Sequence, residues 1–150
     1  MNGNSFFQIY FDCDLKSKDQ VYDFISEIAG QHSSSQQKLA IFHQFKEREK
    51  AGSPQIEEHV LLPHIESEHI IESQILFFRL AKPICWDDTI EDIRLIITIL
   101  LKKDEEEAIK KKITLFTKSL ANEGYLDRLL NIEEKSVFHK EIITFREESR

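Results

Sequence analysis

Cysteine, proline and glycine are scarce in this chain: two Cys, three Pro and four Gly among 150 residues, beside a single Trp and a single Met. Cys13 and Cys85 lie far apart, in neither a Cys-x-x-Cys nor a His-flanked spacing, which excludes a disulfide scaffold and a zinc knuckle. They read as two half-buried thiols in a reducing compartment. Positive charge is also short, 20 Lys and Arg against 27 Asp and Glu for a net charge of −7. Neutralising nucleic-acid phosphates needs a clustered basic excess. The densest cluster, Lys110-Lys111-Lys112, follows the acidic run Asp104 to Glu107 and reads as a solvated helix face, so no nucleic-acid partner is expected. Long hydrophobic runs are missing too. Ile93 to Leu101, broken by Arg94 and Thr98, is about half the ~20 residues of a membrane helix. The opening MNGNSFFQIYFDCD has no basic segment followed by an apolar one, as a secretory signal requires. A cytoplasmic protein without membrane insertion is expected.

What is present is a core: 41% of the residues are apolar, 11 of them Phe. Residues 1–150 suit one domain. Phe6 to Phe11 is β-favouring and stops at Asp12 and Asp14. Val21, Phe24, Ile25 and Ile28 then form a stripe at helical spacing from about residue 17, closed by Gly30. After a polar connector, Gln31 to Gln37, a second helix over about 36–51 is expected to bury Leu39, Phe42 and Phe45. Gly52 caps it and Pro54 prevents its continuation.

Three β-rich runs follow, Val60 to Leu62, Ile75 to Ala81 and Ile93 to Leu101, separated by segments that hold Pro63, Pro83 and Asp87-Asp88. The last two are apolar at nearly every position, as in strands covered on both faces. Helical stripes return at Ile109, Ile113, Phe116 and Leu120, at Leu126, Leu129 and Leu130, and at Phe138, Ile142 and Phe145. The order β-α-α-β-β-β-α-α-α implies an α/β fold, a three-layer α/β/α sandwich with a mixed sheet.

The stretch REKAGSPQIEEHVLLPHI, Arg48 to Ile65, bears on chemistry. A strand that stops at Pro63 delivers His64 into the following loop, because Pro removes a backbone donor and holds Leu62 extended. Ligand crevices of α/β sheets form at strand ends, and a neutral imidazole nitrogen is a nucleophile. The other reading is a surface histidine. His59, His64 and His69 are spaced by five among carboxylates, which suits neither one helical face nor one strand face, so no metal site is expected. His32, His43 and His139 read as polar helix or loop residues.

These residues resemble the fructose/mannitol-type enzyme IIA domains of the bacterial phosphoenolpyruvate-dependent sugar phosphotransferase system. There a helix ends in Arg-Glu, a Gly-Ser-Thr turn follows and a strand finishes in Pro-His. Here Arg48-Glu49, Gly52-Ser53-Pro54 and Val60-Leu61-Leu62-Pro63-His64 keep that spacing, and Lys82-Pro83-Ile84 with Trp86 looks like the segment after the next strand. The resemblance spans about residues 7–145. It implies a phosphotransferase component: His64 accepts a phosphoryl group from the phosphocarrier HPr and passes it to an enzyme IIB domain, with no cofactor. Arg48 would clamp the phosphoryl oxygens; without the resemblance it reads as a helix-terminal surface Arg facing the dipole. Ser53 would add a hydroxyl donor or hold the turn.

Two departures stand out. Pro54 to His59 replaces glycine-rich sequence and brings Glu57 and Glu58 near His64. In mannitol-type members a second histidine follows the later strand, and Glu106 of Asp104-Glu105-Glu106 takes its place. A carboxylate can orient an imidazole but cannot donate to a phosphoryl group. The alternative is therefore a degenerate IIA-like regulatory domain, as in transcriptional regulators that sense phosphorylation state.

Overall fold

The computed structural model describes residues 6–30, 33–122 and 124–148, with 143–148 by backbone alone. His32 and the side chain of Phe145 fall outside this description. The elements are β1 (Phe7–Cys13), α1 (Lys18–Ala29), α2 (Ser35–Ala51), β2 (Gln55–Glu57), β3 (Val60–Leu61), β4 (His64–Ser67), β5 (Gln74–Ile84), β6 (Ile93–Lys102), α3 (Glu107–Ser119), α4 (Tyr125–Asn131) and α5 (Lys135–Glu148). The chain is α/β with a mixed sheet, as expected. Its order carries two strands more than the sequence pattern suggested: β2, whose three residues are all exposed, and β4, whose one apolar residue is Ile65. Two compact units are present, residues 1–104 and 105–150.

In the first unit the strands run in the order β1-β5-β6-β3-β2, with β4 also on β6. β5 and β6 are antiparallel, β1 is parallel to β5, and β3 and β4 are both parallel to β6. The central pair is dry at nearly every position, Ile75 to Phe78 and Leu95 to Ile97 all being fully buried. That is the burial their near-continuous apolar runs imply. β5 continues past Ala81 to Ile84 and takes Pro83 with it. Its register on β6 shifts between Arg79 and Ile84, and such an irregularity is where a strand tolerates the missing N–H of proline.

Helices α1 and α2 close one core against these strands. Ser17 caps α1, and Ser34 with Gln37 forms a full capping box on α2, so α2 starts inside the segment expected to be connector. Val21, Tyr22 and Ile25 of α1 and Ile41 and Phe45 of α2 join Leu76, Phe78, Ile96 and Leu100 in one cluster. Tyr22 stacks on Phe45 at 4.9 Å and meets Trp86 edge-on at 5.3 Å. Each fully buried side chain of this size contributes about 1.5–3 kcal/mol. Leu39 is not part of it. At 56% exposure it faces away, and Ile41 takes the inner position with Phe45 four residues on, on the same helix face.

In the second unit Phe116, Leu120, Leu126, Leu129, Phe138 and Ile142 are buried, as their spacing suggested. Arg128 of α4 reaches Glu141 of α5 at 3.2 Å. Gly124 precedes α4 at φ 82, a left-handed position that favours glycine. Lys110 pairs with Glu107 on α3, in keeping with a solvated face.

Cys13 is partly buried and donates to the Tyr10 carbonyl, whereas Cys85 is exposed and so not half-buried as expected. Burial, with Asp12 adding to it, pushes the Cys13 thiol up to about 11 from 9.0. Its raised folded-state value means that the stabilising contribution is complete below pH 9 and is lost as pH rises through 11. In a thiol titration of the native protein at pH 8, Cys85 should react promptly and Cys13 only after unfolding. In denaturant titrations, Ile41→Ala should cost about 2–5 kcal/mol, and Leu39→Ala no more than about 0.5 kcal/mol.

Candidate active site

The strand that leads to His64 is interrupted, not ended. Leu61 pairs with Ile96 and His64 with Ile99, so the register on β6 runs unchanged through Leu62 and Pro63. Pro63 has no N–H to give the ladder, yet its carbonyl accepts from Ile99 at 3.2 Å. The N–H of Leu62 turns the other way and donates to Pro54 O at 2.7 Å. His64 therefore opens β4 and does not lie in a loop as the sequence suggested. Alternation along β4 exposes His64 and Glu66 while Ile65 and Ser67 are buried.

That Leu62 bond ties the strand to the segment leaving α2. α2 ends with the Gly52 N–H on Glu49 O, and Ser53 Oγ accepts from Gln55 N–H to hold the turn into β2. Arg48, in the last turn of α2, is thereby placed with Nη2 at 3.4 Å from His64 Nε2. His64 Nδ1 is 3.3 Å from the Leu62 carbonyl. A carbonyl only accepts, so that contact puts the proton on Nδ1 and leaves the Nε2 lone pair facing the guanidinium. Both nitrogens are assigned by one backbone oxygen and one arginine.

A cavity of about 100 Å³ opens here, lined by Arg48, Ser53, Ile56, Pro63 and His64 and backed by Tyr22, Phe45 and Glu49. Arg48, Ser53 and His64 thus share one cleft. Glu106 belongs to the second unit, where it is the N-cap residue of α3 and makes no side-chain bond to the helix end. Glu58 turns toward His59, 3.7 Å away. His59 is held apart from the cleft chemistry: its Nδ1 lies 2.8 Å from Asp92 O, at φ 73. Asp92 in turn is kept below the usual carboxylate range, chiefly by its bond from Arg94.

Sequence reasoning quoted Glu49 and Trp86 without assigning them roles. Glu49 accepts from the Tyr22 hydroxyl at 2.8 Å and from Trp86 Nε1 at 2.9 Å, and pairs with Lys18 at 2.8 Å, its side chain only 12% exposed. Burial first, then the Glu49 bond, raises the Tyr22 hydroxyl well above its ordinary value. A signal existed: a Tyr and a Trp destined for the core each need a partner for one polar atom.

Residues 7–144 match the model of the family described as phosphoenolpyruvate-dependent sugar phosphotransferase system, EIIA 2. The chain belongs to this family. It is thereby a type-2 IIA domain, of a family of phosphoryl carriers and phosphotransferase components. It is 25% identical over 126 residues to multiphosphoryl transfer protein 1 of Escherichia coli K12, covering 84% of this chain and 15% of that protein. The chain thus spans about a seventh of the length of the curated relatives it matches. Nitrogen regulatory protein IIA-Ntr of Neisseria meningitidis has the same fold, with a TM-score of 0.72 at 16% identity over 94% of this chain and 96% of that one. So does the IIA mannitol enzyme of Escherichia coli, solved in complex with phosphorylated enzyme IIB mannitol, with a TM-score of 0.62 at 16% identity over 99% and 97%. No helix among the described residues is long and apolar enough to cross a membrane.

Tyr22→Phe should lower unfolding free energy by about 1–3 kcal/mol, since it removes one donor from a largely buried carboxylate, 12% exposed. The denaturation midpoint in urea measures it, and an unchanged midpoint would deny the bond any net worth.

Proposed function

We propose that this chain takes a phosphoryl group from phosphorylated HPr onto Nε2 of His64 and hands it to an enzyme IIB domain. The observation that supports this best is the pairing of the exposed Nε2 with Arg48 while Nδ1 contacts the Leu62 carbonyl. The Nε2 lone pair forms the new N–P bond as the donor's N–P bond breaks and its electron pair returns to the donor imidazole. The Nδ1 proton stays in place, and the Leu62 oxygen stabilises the positive charge that the ring gains. Arg48 stabilises the equatorial oxygens through two parallel N–H donors. Ser53 Oγ, which accepts from Gln55, keeps its own O–H as a second donor to the phosphoryl group. Transfer by positioning and charge stabilisation needs no cofactor and no metal. The IIB complex formed by the structural neighbour supports IIB as the acceptor, and residues 1–150 act as one cytoplasmic IIA domain in sugar uptake.

Glu106 favours a second reading. By the resemblance it takes the sequence position of a histidine of mannitol-type members, and a carboxylate cannot donate to a phosphoryl group; a chain altered at that position suits a sensor domain attached to a transcriptional regulator.

With enzyme I, HPr and labelled phosphoenolpyruvate, one acid-labile phosphate per chain is expected, absent from His64→Ala. Arg48→Ala should slow labelling by about 10²-fold, the usual cost of one charge-stabilising donor, without loss of structure. Label that persists in His64→Ala refutes the nucleophile. Phosphoprotein that discharges to a IIB domain supports transport, whereas one inert to every IIB domain supports the sensor.

A further inference from the structure

We propose that Glu49 is a positioning residue for this transfer, acting through Arg48. The inference rests on the carrier reading of His64 given above. Arg48 lies in the last turn of α2, where carbonyls run out of intrahelical donors and the backbone tends to fray. It is exposed, and among the described residues its side chain makes one long bond, to His64. The neighbouring Glu49, by contrast, is fixed from three places. Tyr22 and Lys18 reach it from α1, and Trp86 reaches it from the segment after β5. Lys18 is shared with Asp87, 3.7 Å away, and lies 5.7 Å over the Trp86 ring. Holding residue 49 fixes the backbone of residue 48, and with it the arc through which the guanidinium swings.

The charge arrangement gives this knot a second effect. Glu49 backs the cleft that is to receive a phosphoryl group, where a free carboxylate would repel it. Three donors bind the carboxylate and one of them is a cation, so its charge is offset within the knot. Glutamine at this position would keep a neutral acceptor for Tyr22 and Trp86 while giving up the Lys18 pair.

The test combines a spectrum with a double-mutant cycle. The His64 Nε2 resonance is recorded by nitrogen-15 NMR in wild type, Glu49→Gln, Arg48→Ala and the core variant Ile41→Val, which serves as a control for lowered stability. Glu49→Gln should shift the signal toward its Arg48→Ala position, and Ile41→Val should leave it unmoved. In labelling kinetics, Glu49→Gln should slow transfer about tenfold in the native background and not at all when Arg48 is already Ala, because the two changes act as one unit. A Glu49→Gln signal that coincides with wild type overturns the proposal, as does an equal slowing in both backgrounds. A wild type that takes no label would instead strike the carrier reading, and the spectra would still decide whether Glu49 holds Arg48.

Discussion

One backbone hydrogen bond, from the Leu62 N–H to Pro54 O, organises the site. The strand that continues from β3 into β4 keeps its register on β6 through Leu62 and Pro63, so by alternation the Leu62 amide points off the opposite edge, where Pro54 accepts it. That bond draws the exit of α2 against the strand and sets Arg48 opposite His64. The Leu62 carbonyl points off the same edge and lies 3.3 Å from His64 Nδ1. The proton on Nδ1 is therefore placed by a backbone carbonyl, not by a dedicated side-chain partner such as the Asp of a hydrolase triad.

Behind the histidine the material changes from polar to dry. Tyr22 and Phe45, stacked and fully buried, form the floor on which the cleft stands. Glu49 is the one carboxylate admitted there, matched by two neutral donors and a lysine. A buried charge survives only with such pairing. It is also why Trp86, remote in sequence, belongs to the same structural unit as α1 and the end of α2. The cleft thus joins an exposed Arg–His pair to a dry, hydrogen-bonded support.

Much of this architecture is legible in the residues, and the failures are instructive. The hydrophobic pattern finds α1 and α2 because burial there follows the helical repeat, and the central strands because both of their faces are dry. It misplaces Leu39 because one apolar residue more than a helix face can bury must point to solvent, and spacing alone does not say which. It ends β5 early because a proline is compatible with a strand only at an irregularity, and the bulge near Pro83 is a property of pairing with β6. It misses β2 and β4 because edge strands hold few apolar residues.

By itself the sequence determined the α/β class and the family motif and singled out His64, Arg48 and Ser53 as candidates, since composition, repeat and ordered spacing are local properties of a chain. Tertiary structure alone decided that His64 begins a strand, that its Nε2 faces a guanidinium, and that Glu49 is gathered up by Tyr22, Lys18 and Trp86. Those facts depend on which hydrogen-bonding groups lose water together, and residues as far apart as 22, 49 and 86 meet only once the sheet and its helices have closed.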